Sequence, residues 1–174
     1  MSQSYINKDL IDIVGLCDTD AIDLSSPNNL WTQISVPESL TIPEQKPDIE
    51  QINSVKIKVN IIKKKIIVTP DSNGENEEGK KVTGRKLIIE GELVQAVTYT
   101  ADVPEQTLHT AHFIVPFSAF IVIPRDTPLD TNYEINACIE DVFIKSLCSR
   151  RIFKNVTLLL QAIPTLRTQC PSEC

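Results

Sequence analysis

Aromatic residues, glycine and methionine are all scarce in this chain of 174 residues. Phe, Trp and Tyr make up only 5% of the sequence, whereas hydrophobic residues as a whole make up 41%. A core with so few rings has to be built mainly from Ile, Val and Leu. The β-branched members of that set suit the pleated surface of a sheet, because their stiff side chains lose little freedom there. The composition therefore favours β-structure, and the length is enough for one domain with a sizeable core.

Long apolar runs and an excess of positive charge are also absent. No apolar run reaches the roughly 18 residues that a membrane-spanning helix needs. The formal net charge is −6, and a negative field repels phosphate backbones. Residues 1–9 lack the basic and apolar regions of a secretory signal. We therefore expect no membrane and no nucleic acid among the partners, and no export by the general secretory route.

The sequence motifs of common catalytic sites are missing. There is no Gly-rich phosphate loop and no Gly-x-Ser-x-Gly nucleophile elbow. The two histidines, His109 and His112, lie three positions apart and point to opposite faces if they are on a strand. A turn between them would let them converge on a metal together with Glu105 or Asp102, and that alternative stays open. We predict that the protein is not an enzyme and has no catalytic, cofactor-binding or metal site.

An adjacent acidic pair, Glu140 and Asp141, lies in a predicted strand. Successive side chains of a strand alternate between its faces, so one of the two carboxylates is expected to point inward or to an interface. We expect it to form a structural salt bridge with Arg85, Arg150 or Arg151.

The cysteines are odd in number, so they cannot all pair within one chain. They are Cys17, Cys138, Cys148, Cys170 and Cys174. One interpretation is that all are reduced thiols, with Cys138 buried as a small hydrophobic side chain. The other is that Cys17, Cys170 and Cys174 crosslink neighbouring molecules, because a thiol on a terminal segment reaches another molecule more easily than a rigid one does. Both interpretations stay open at this point.

Three regions follow from the distribution of apolar residues. Residues 1–29 form an N-terminal arm in which Leu10, Ile13 and Val14, at positions i, i+3 and i+4, predict one apolar face of a short helix. Such a face docks either on its own domain or on a neighbour. Residues 30–163 have the texture of strands and turns and form the main domain. Residues 164–174 are a polar tail that carries two cysteines.

The alternation of apolar and polar residues in the main domain predicts eight to ten short strands. The clearest alternation runs from Val55 to Ile61, with apolar residues on one face and lysines and asparagine on the other. Pro37 is expected to end the first strand, Gly91 to mark a bulge or bend, and Pro116 to lie at an edge or a bulge. This pattern predicts an all-β fold, an antiparallel β-sandwich or jelly-roll-like domain.

Several motifs together resemble one known family. They are Lys46–Ile52, Gly84–Gly91, His109–Phe113 with Pro116-Phe117, Cys138–Val142, and Phe153–Val156. Together with Trp31 and the segment that follows it, they are similar to the SPOCS domain of spore-forming, mainly clostridial, bacteria, over about residues 30–162. The best-known relative joins SPOCS domains to a C-terminal LysM module and ties the spore coat to the forespore through a morphogenetic ATPase. This sequence ends soon after one such domain, so a tether through LysM is not expected of it.

The resemblance implies an association with the spore envelope and no catalytic residues. Envelope proteins are made in the mother-cell cytoplasm, and lysis of that cell exposes their thiols to oxidants. This context implies pairing of Cys17 with Cys170 or Cys174 of a neighbour. Our first hypothesis is a structural protein that assembles into a fibre, ring or layer on the coat, exosporium or an appendage, with Leu10, Ile13 and Val14 as the docking arm. The alternative is a monomeric adaptor that recruits another coat protein, for example by adding its strand to an open sheet edge.

Overall fold

The computed structural model describes residues 3–6, 11–18, 20, 22–25, 29–75, 77 and 81–165, with only the backbone path described for residues 3–6. The described residues form eight strands. In chain order these are β1 (Gln3–Ile6), β2 (Asp12–Leu16), β3 (Leu30–Thr41), β4 (Ile49–Asp71), β5 (Thr83–Ala101), β6 (Leu108–Val122), β7 (Asn132–Cys148) and β8 (Arg151–Thr165). Several are much longer than the short strands that the sequence predicted.

The strands are arranged in two sheets that pack face to face. The first sheet has the order β1-β2-β4-β5-β6, and the second has the order β3-β8-β7. All neighbouring pairs are antiparallel except β2 and β4, which run parallel. The prediction of an all-β sandwich is therefore confirmed. No helix in the described part of the chain is long and apolar enough to cross a membrane.

The core lies between the sheets and consists mainly of Ile, Val and Leu. The strand β5 shows how the sequence directs this, because every second residue from Leu87 to Ala101 is buried and the residues between them face outward. Few aromatic side chains are needed. Tyr99 and Tyr133 are the buried aromatic rings among the described residues.

The N-terminal arm is a strand and not the predicted helix. Residues Asp12–Val14 pair in parallel with Ser54–Lys56 of β4, which satisfies their backbone hydrogen-bonding groups. Ile13 is buried in the core of its own chain, and Val14 is half-buried. Leu10 lies outside the described residues. Tertiary pairing therefore overrides the local helical periodicity of a segment this short.

Two other local predictions concerned Pro37 and Gly91, and the one for Pro37 was wrong. Strand β3 continues through Pro37 to Thr41, because β3 is an edge strand and needs no hydrogen-bond donor on its open side. Strand β5 runs unbroken through Gly91. The irregularity expected at this position is present but lies on the partner strand β4, between Ile61, which pairs with Gly91, and Lys63. Pro116 lies in β6, the edge strand of the first sheet, as expected.

Candidate functional site

Cys17 and Cys138 form a disulfide within the chain. Their Cα atoms are 5.4 Å apart, and the Cys17 amide donates a hydrogen bond of 3.1 Å to the carbonyl of Ile139. The parallel pairing of β2 with β4 brings the end of β2 beside β7, the edge strand of the other sheet. The disulfide thus joins the two sheets at one side of the sandwich.

This pairing corrects both interpretations of Cys17 and Cys138. Cys138 is buried as expected, but it is oxidised and not a reduced thiol. Cys17 is bonded inside its own subunit, so it is not available to a neighbour while that bond is intact. Cys170 and Cys174 lie outside the described residues, and their crosslinking to neighbours stays a prediction.

Among the described residues the free cysteine is Cys148, which is exposed at the end of β7. Hydrogen bonds from the backbone N–H of Arg150 and the side chain of Arg151 lower the pKa of its thiol below the ordinary value. A thiol with a lowered pKa supplies more thiolate at neutral pH, and the thiolate is the form that reacts. Cys148 is therefore the most reactive position that the described chain offers for disulfide exchange, and the sequence did not single it out.

The turn that carries Cys148 is held by Arg150. Its guanidinium forms an ion pair with Asp48 and donates hydrogen bonds to the carbonyls of Pro43 (2.7 Å) and Lys46 (3.0 Å). Hydrogen bonds from Ser149 and Arg150 hold the pKa of Asp48 below its ordinary value. These contacts attach the β7–β8 turn to the segment between β3 and β4 and give Cys148 a defined position.

The two histidines lie on opposite faces of β6, as the strand reading predicted. The His109 ring stacks on Tyr99 with their centroids 5.9 Å apart, whereas His112 is exposed on the outer face. No three His, Cys, Asp or Glu side chains within the described ranges converge in a way that would hold a metal. The prediction that Glu140 or Asp141 forms a salt bridge with an arginine was wrong. Both carboxylates are exposed, and Glu140 accepts hydrogen bonds of 3.0 Å from Gln33.

The outer face of β6 carries three exposed apolar side chains, and we call it the β6 face. Its members Leu108 and Ile114 of β6 are 68% and 65% exposed, and Phe120 is 49% exposed. Val94 lies directly across from Ile114 on the neighbouring strand. Leu108 and Phe120 are twelve positions apart, so the three side chains are spread over about 40 Å of strand. The same face also carries Thr110, His112, Pro116 and Ser118 between them.

Residues 48–147 match the family described as "SipL, SPOCS domain", which is more than half of the chain. The chain belongs to the SPOCS domain family. The matched segment covers β4, β5, β6 and nearly all of β7. SPOCS membership suggests an association with the spore coat, and no catalytic family is evident. No curated protein and no solved structure matches the chain.

The SPOCS motifs occupy positions that support the fold. Gly91 and Phe117, from two separate motifs, are directly opposite each other on β5 and β6. A Cβ atom at Gly91 would lie 2.5 Å from the Phe117 ring and 2.8 Å from the carbonyl of Asn60, so the ring occupies the space that a side chain would need. Val142 and Val156, from two further motifs, are cross-strand partners in the second sheet. At these positions the family pattern of this SPOCS domain therefore marks packing.

The structure contains a buried polar cluster that the sequence did not predict. Glu38 of β3 and Lys154 of β8 face each other in register on the inner side of the second sheet, and Gln95 of β5 reaches them from the first sheet. The alternation contained the signal, because Lys154 lies between Ile152 and Val156 on the inward-facing side of β8. A charged residue in the inward register of a strand indicates a buried partner, but periodicity cannot identify it.

Proposed function

We propose that this SPOCS protein is a structural building block of the spore envelope that assembles into a fibre, ring or layer. The exposed β6 face is the observation that carries this proposal. Burying apolar side chains such as Leu108, Ile114 and Phe120 against a second copy removes them from water, which favours association. A contact between two different surfaces produces a ring when the rotation closes and an open fibre when it does not.

We further propose that disulfides between subunits lock the assembly. Cys148 supports this idea because it is exposed, has a lowered pKa and belongs to a turn held in place by Arg150. The tail residues Cys170 and Cys174 are the other candidates. Cys17 is no longer one, because it is bonded to Cys138. After synthesis in the mother-cell cytoplasm, lysis of that cell would expose these thiols to oxidants, and two thiols would lose two hydrogen atoms to form each crosslink.

The arm takes a different role in this proposal from the one first expected. Ile13 is buried in the core of its own subunit, so it does not provide free apolar surface for a neighbour. Val14 is half-buried beside it. The β6 face replaces the arm as the docking surface that we would test first.

Negative-stain electron microscopy of the purified, oxidised protein tests the assembly. Ordered fibres, rings or sheets are expected, and isolated particles of the 19.4 kDa chain would contradict the proposal. Ile114→Asp should abolish the assemblies because a charge in the β6 face opposes its burial. Leu129→Asp is the matched control, because Leu129 is also an exposed apolar residue but lies outside the β6 face. Assemblies that survive Ile114→Asp would exclude this face.

The crosslinks are tested separately on non-reducing gels. Replacing Cys148, Cys170 and Cys174 with serine should remove covalent multimers and leave the fold unchanged. Unchanged covalent multimers in this variant would contradict the proposed crosslinks. Loss of the multimers with ordered particles still present would show that assembly precedes crosslinking.

The adaptor remains the second candidate because the first sheet ends at β6, an edge to which a partner strand can be added. This candidate expects a stable monomer and one specific partner in pull-downs from sporulating cells. A Pro substitution at a β6 residue whose backbone N–H points to the open edge should then weaken capture of the partner. Under this candidate, microscopy should show no ordered particles with or without the substitution.

A further inference from the structure

Glu38, Lys154 and Gln95 form an enclosed polar cluster that bridges the two sheets. The side chains of Lys154 and Glu38 are 0% and 1% exposed, and Gln95 is equally buried. The Lys154 Nζ atom lies 3.0 Å from Glu38 Oε1, and the amide nitrogen of Gln95 lies 2.6 Å from Glu38 Oε2. One carboxylate therefore contacts both an amine and a primary amide.

Apolar side chains surround this cluster on every strand that contributes to it. Glu38 lies between Val36 and Leu40, Lys154 between Ile152 and Val156, and Gln95 between Leu93 and Val97, in each case on the inward face. All six of these neighbours are buried. An ion pair is costly in such surroundings, and transfer of the proton from the ammonium to the carboxylate removes both charges.

The neutral form of the pair is chemically reactive. Burial lowers the pKa of Lys154, which favours the uncharged amine. An uncharged amine is a nucleophile, whereas an ammonium is not. The same proton transfer leaves Glu38 as a carboxylic acid, which can donate a hydrogen bond.

The amide of Gln95 has a feature that points to such a donor. Its oxygen, Oε1, is buried and has no hydrogen-bond partner. A half-turn of the amide about its terminal torsion places this oxygen against Glu38 Oε2, and 2.6 Å is a typical separation for an O–H···O hydrogen bond. In that orientation the acid polarises the amide carbonyl and makes its carbon a better target for the amine.

We propose that Lys154 and Gln95 form an isopeptide bond within the chain, with Glu38 as the catalytic residue. The Lys154 nitrogen attacks the Gln95 side-chain carbonyl carbon, Cδ, and a new C–N bond forms. Glu38 delivers its proton to the amide nitrogen of Gln95 and takes one from the attacking nitrogen, so it ends in the protonation state in which it began. The original C–N bond then breaks, ammonia leaves, and the carbonyl is restored. An amine and a primary amide become a secondary amide and ammonia, so no oxidant or other reactant is needed.

The bond would join β8 in the second sheet to β5 in the first through the middle of the core. It differs from the Cys17–Cys138 disulfide because a reductant cannot open it. The inference rests on the buried cluster alone, so it stands or falls independently of assembly through the β6 face.

The mass of the intact, purified full chain tests the proposal directly. After reduction and alkylation of the cysteines, the measured mass of the protein should be lower than the mass calculated from its alkylated sequence by the mass of one ammonia. Proteolysis should yield a branched peptide that links a segment of β5 to a segment of β8 through Lys154 and Gln95. A folded protein with the full sequence mass would overturn the proposal.

Matched variants assign the participants. Gln95→Met removes the electrophile and leaves the Lys154–Glu38 pair in place, so this variant should have its full sequence mass. Gln161→Met is the control: Gln161 is another buried glutamine, and its amide nitrogen contacts the Asp23 carbonyl and the Asn29 side chain, so ammonia should still be lost. Loss of ammonia from Gln95→Met would overturn the assignment of Gln95. Loss of ammonia from folded Glu38→Gln, with folding verified by circular dichroism, would remove Glu38 from the mechanism.

Discussion

Cys17 and Cys138 are separated by 121 positions in the sequence and are joined by a disulfide with their Cα atoms 5.4 Å apart. The bond attaches the end of β2 to β7 and so closes one side of the sandwich. It also explains how a short N-terminal segment becomes part of the fold. The position of that segment and the stability of the sandwich are therefore coupled.

Removal of this disulfide should destabilise the protein substantially. Replacing both Cys17 and Cys138 with serine should lower the free energy of unfolding of the oxidised protein by about 2–4 kcal/mol, because the bond restricts the unfolded chain over a long loop. Urea unfolding, followed by circular dichroism, measures the difference. Cys148→Ser is the control and should change stability by no more than about 0.5 kcal/mol, since Cys148 is exposed and unpaired. Equal unfolding midpoints for wild type and the double variant would contradict the prediction.

Gly15 should be required for the docking of β2. Its φ of +120° is unfavourable for other residues, and the carbonyl of Ile57 occupies the space where a Cβ atom would lie. Gly15→Ala should therefore cost about 1–3 kcal/mol and loosen the pairing of β2 with β4. Hydrogen exchange of the amides in Asp12–Leu16 should become faster. Gly74→Ala, where no atom lies within 4 Å of the added Cβ, should leave exchange unchanged.

Asp48 should make stability depend on pH in the acidic range. Its pKa is lower in the folded protein than the ordinary value, so the unfolded chain binds more protons in that range. The contribution of Asp48 to the free energy of unfolding is complete above its unfolded-state pKa, which is near the ordinary Asp value of about 3.9. This contribution is lost as the pH falls through the lower folded-state pKa. Asp48→Asn should flatten the fall in the urea midpoint between neutral and acidic pH. Arg150→Gln should flatten it too, because Arg150 is one of the groups that lower this pKa. A fall in both variants as steep as in wild type would contradict the assignment.

Cys148 should react with alkylating reagents faster at neutral pH than an ordinary cysteine does. The measurement is best made with Cys170 and Cys174 replaced by serine, so that this thiol is observed alone. Arg151→Gln removes a side chain that lowers the pKa of Cys148, so the pH profile of alkylation should move to higher pH. Arg125→Gln is the control, because Arg125 pairs with Asp71 and does not contribute to this pKa. A profile that Arg151→Gln leaves unmoved would show that Arg151 has no such effect.

The strands of the main domain were predictable from the sequence because their hydrophobic pattern is local. Alternation from Val55 to Ile61 and the position of Pro116 indicated a sandwich with a proline-bearing edge, and the structure agrees. The hydrophobic pattern did not predict the β6 face. Leu108, Ile114 and Phe120 are spaced by even numbers along β6, but the pattern alone does not say which face of the strand is covered.

The helix predicted for the arm shows where local reasoning ends. The spacing of Leu10, Ile13 and Val14 fits one helical turn, yet Ile13 and Val14 lie in a strand because β4 offers backbone partners to this segment. A short segment has too few internal hydrogen bonds to determine its own conformation. The partner strand, more than 40 positions away, decides it.

The sequence by itself determined the fold class, the branched aliphatic core and the membership of the SPOCS family, because each depends on residues that are close together in the chain or on motifs that can be read in order. Only the tertiary structure decided that Cys17 pairs with Cys138, that Cys148 stays exposed, and that Lys154 and Gln95 meet at Glu38. These contacts join residues on different strands, and in two cases on different sheets. Periodicity specifies which face of a strand is buried, whereas sheet order and register specify what that face meets.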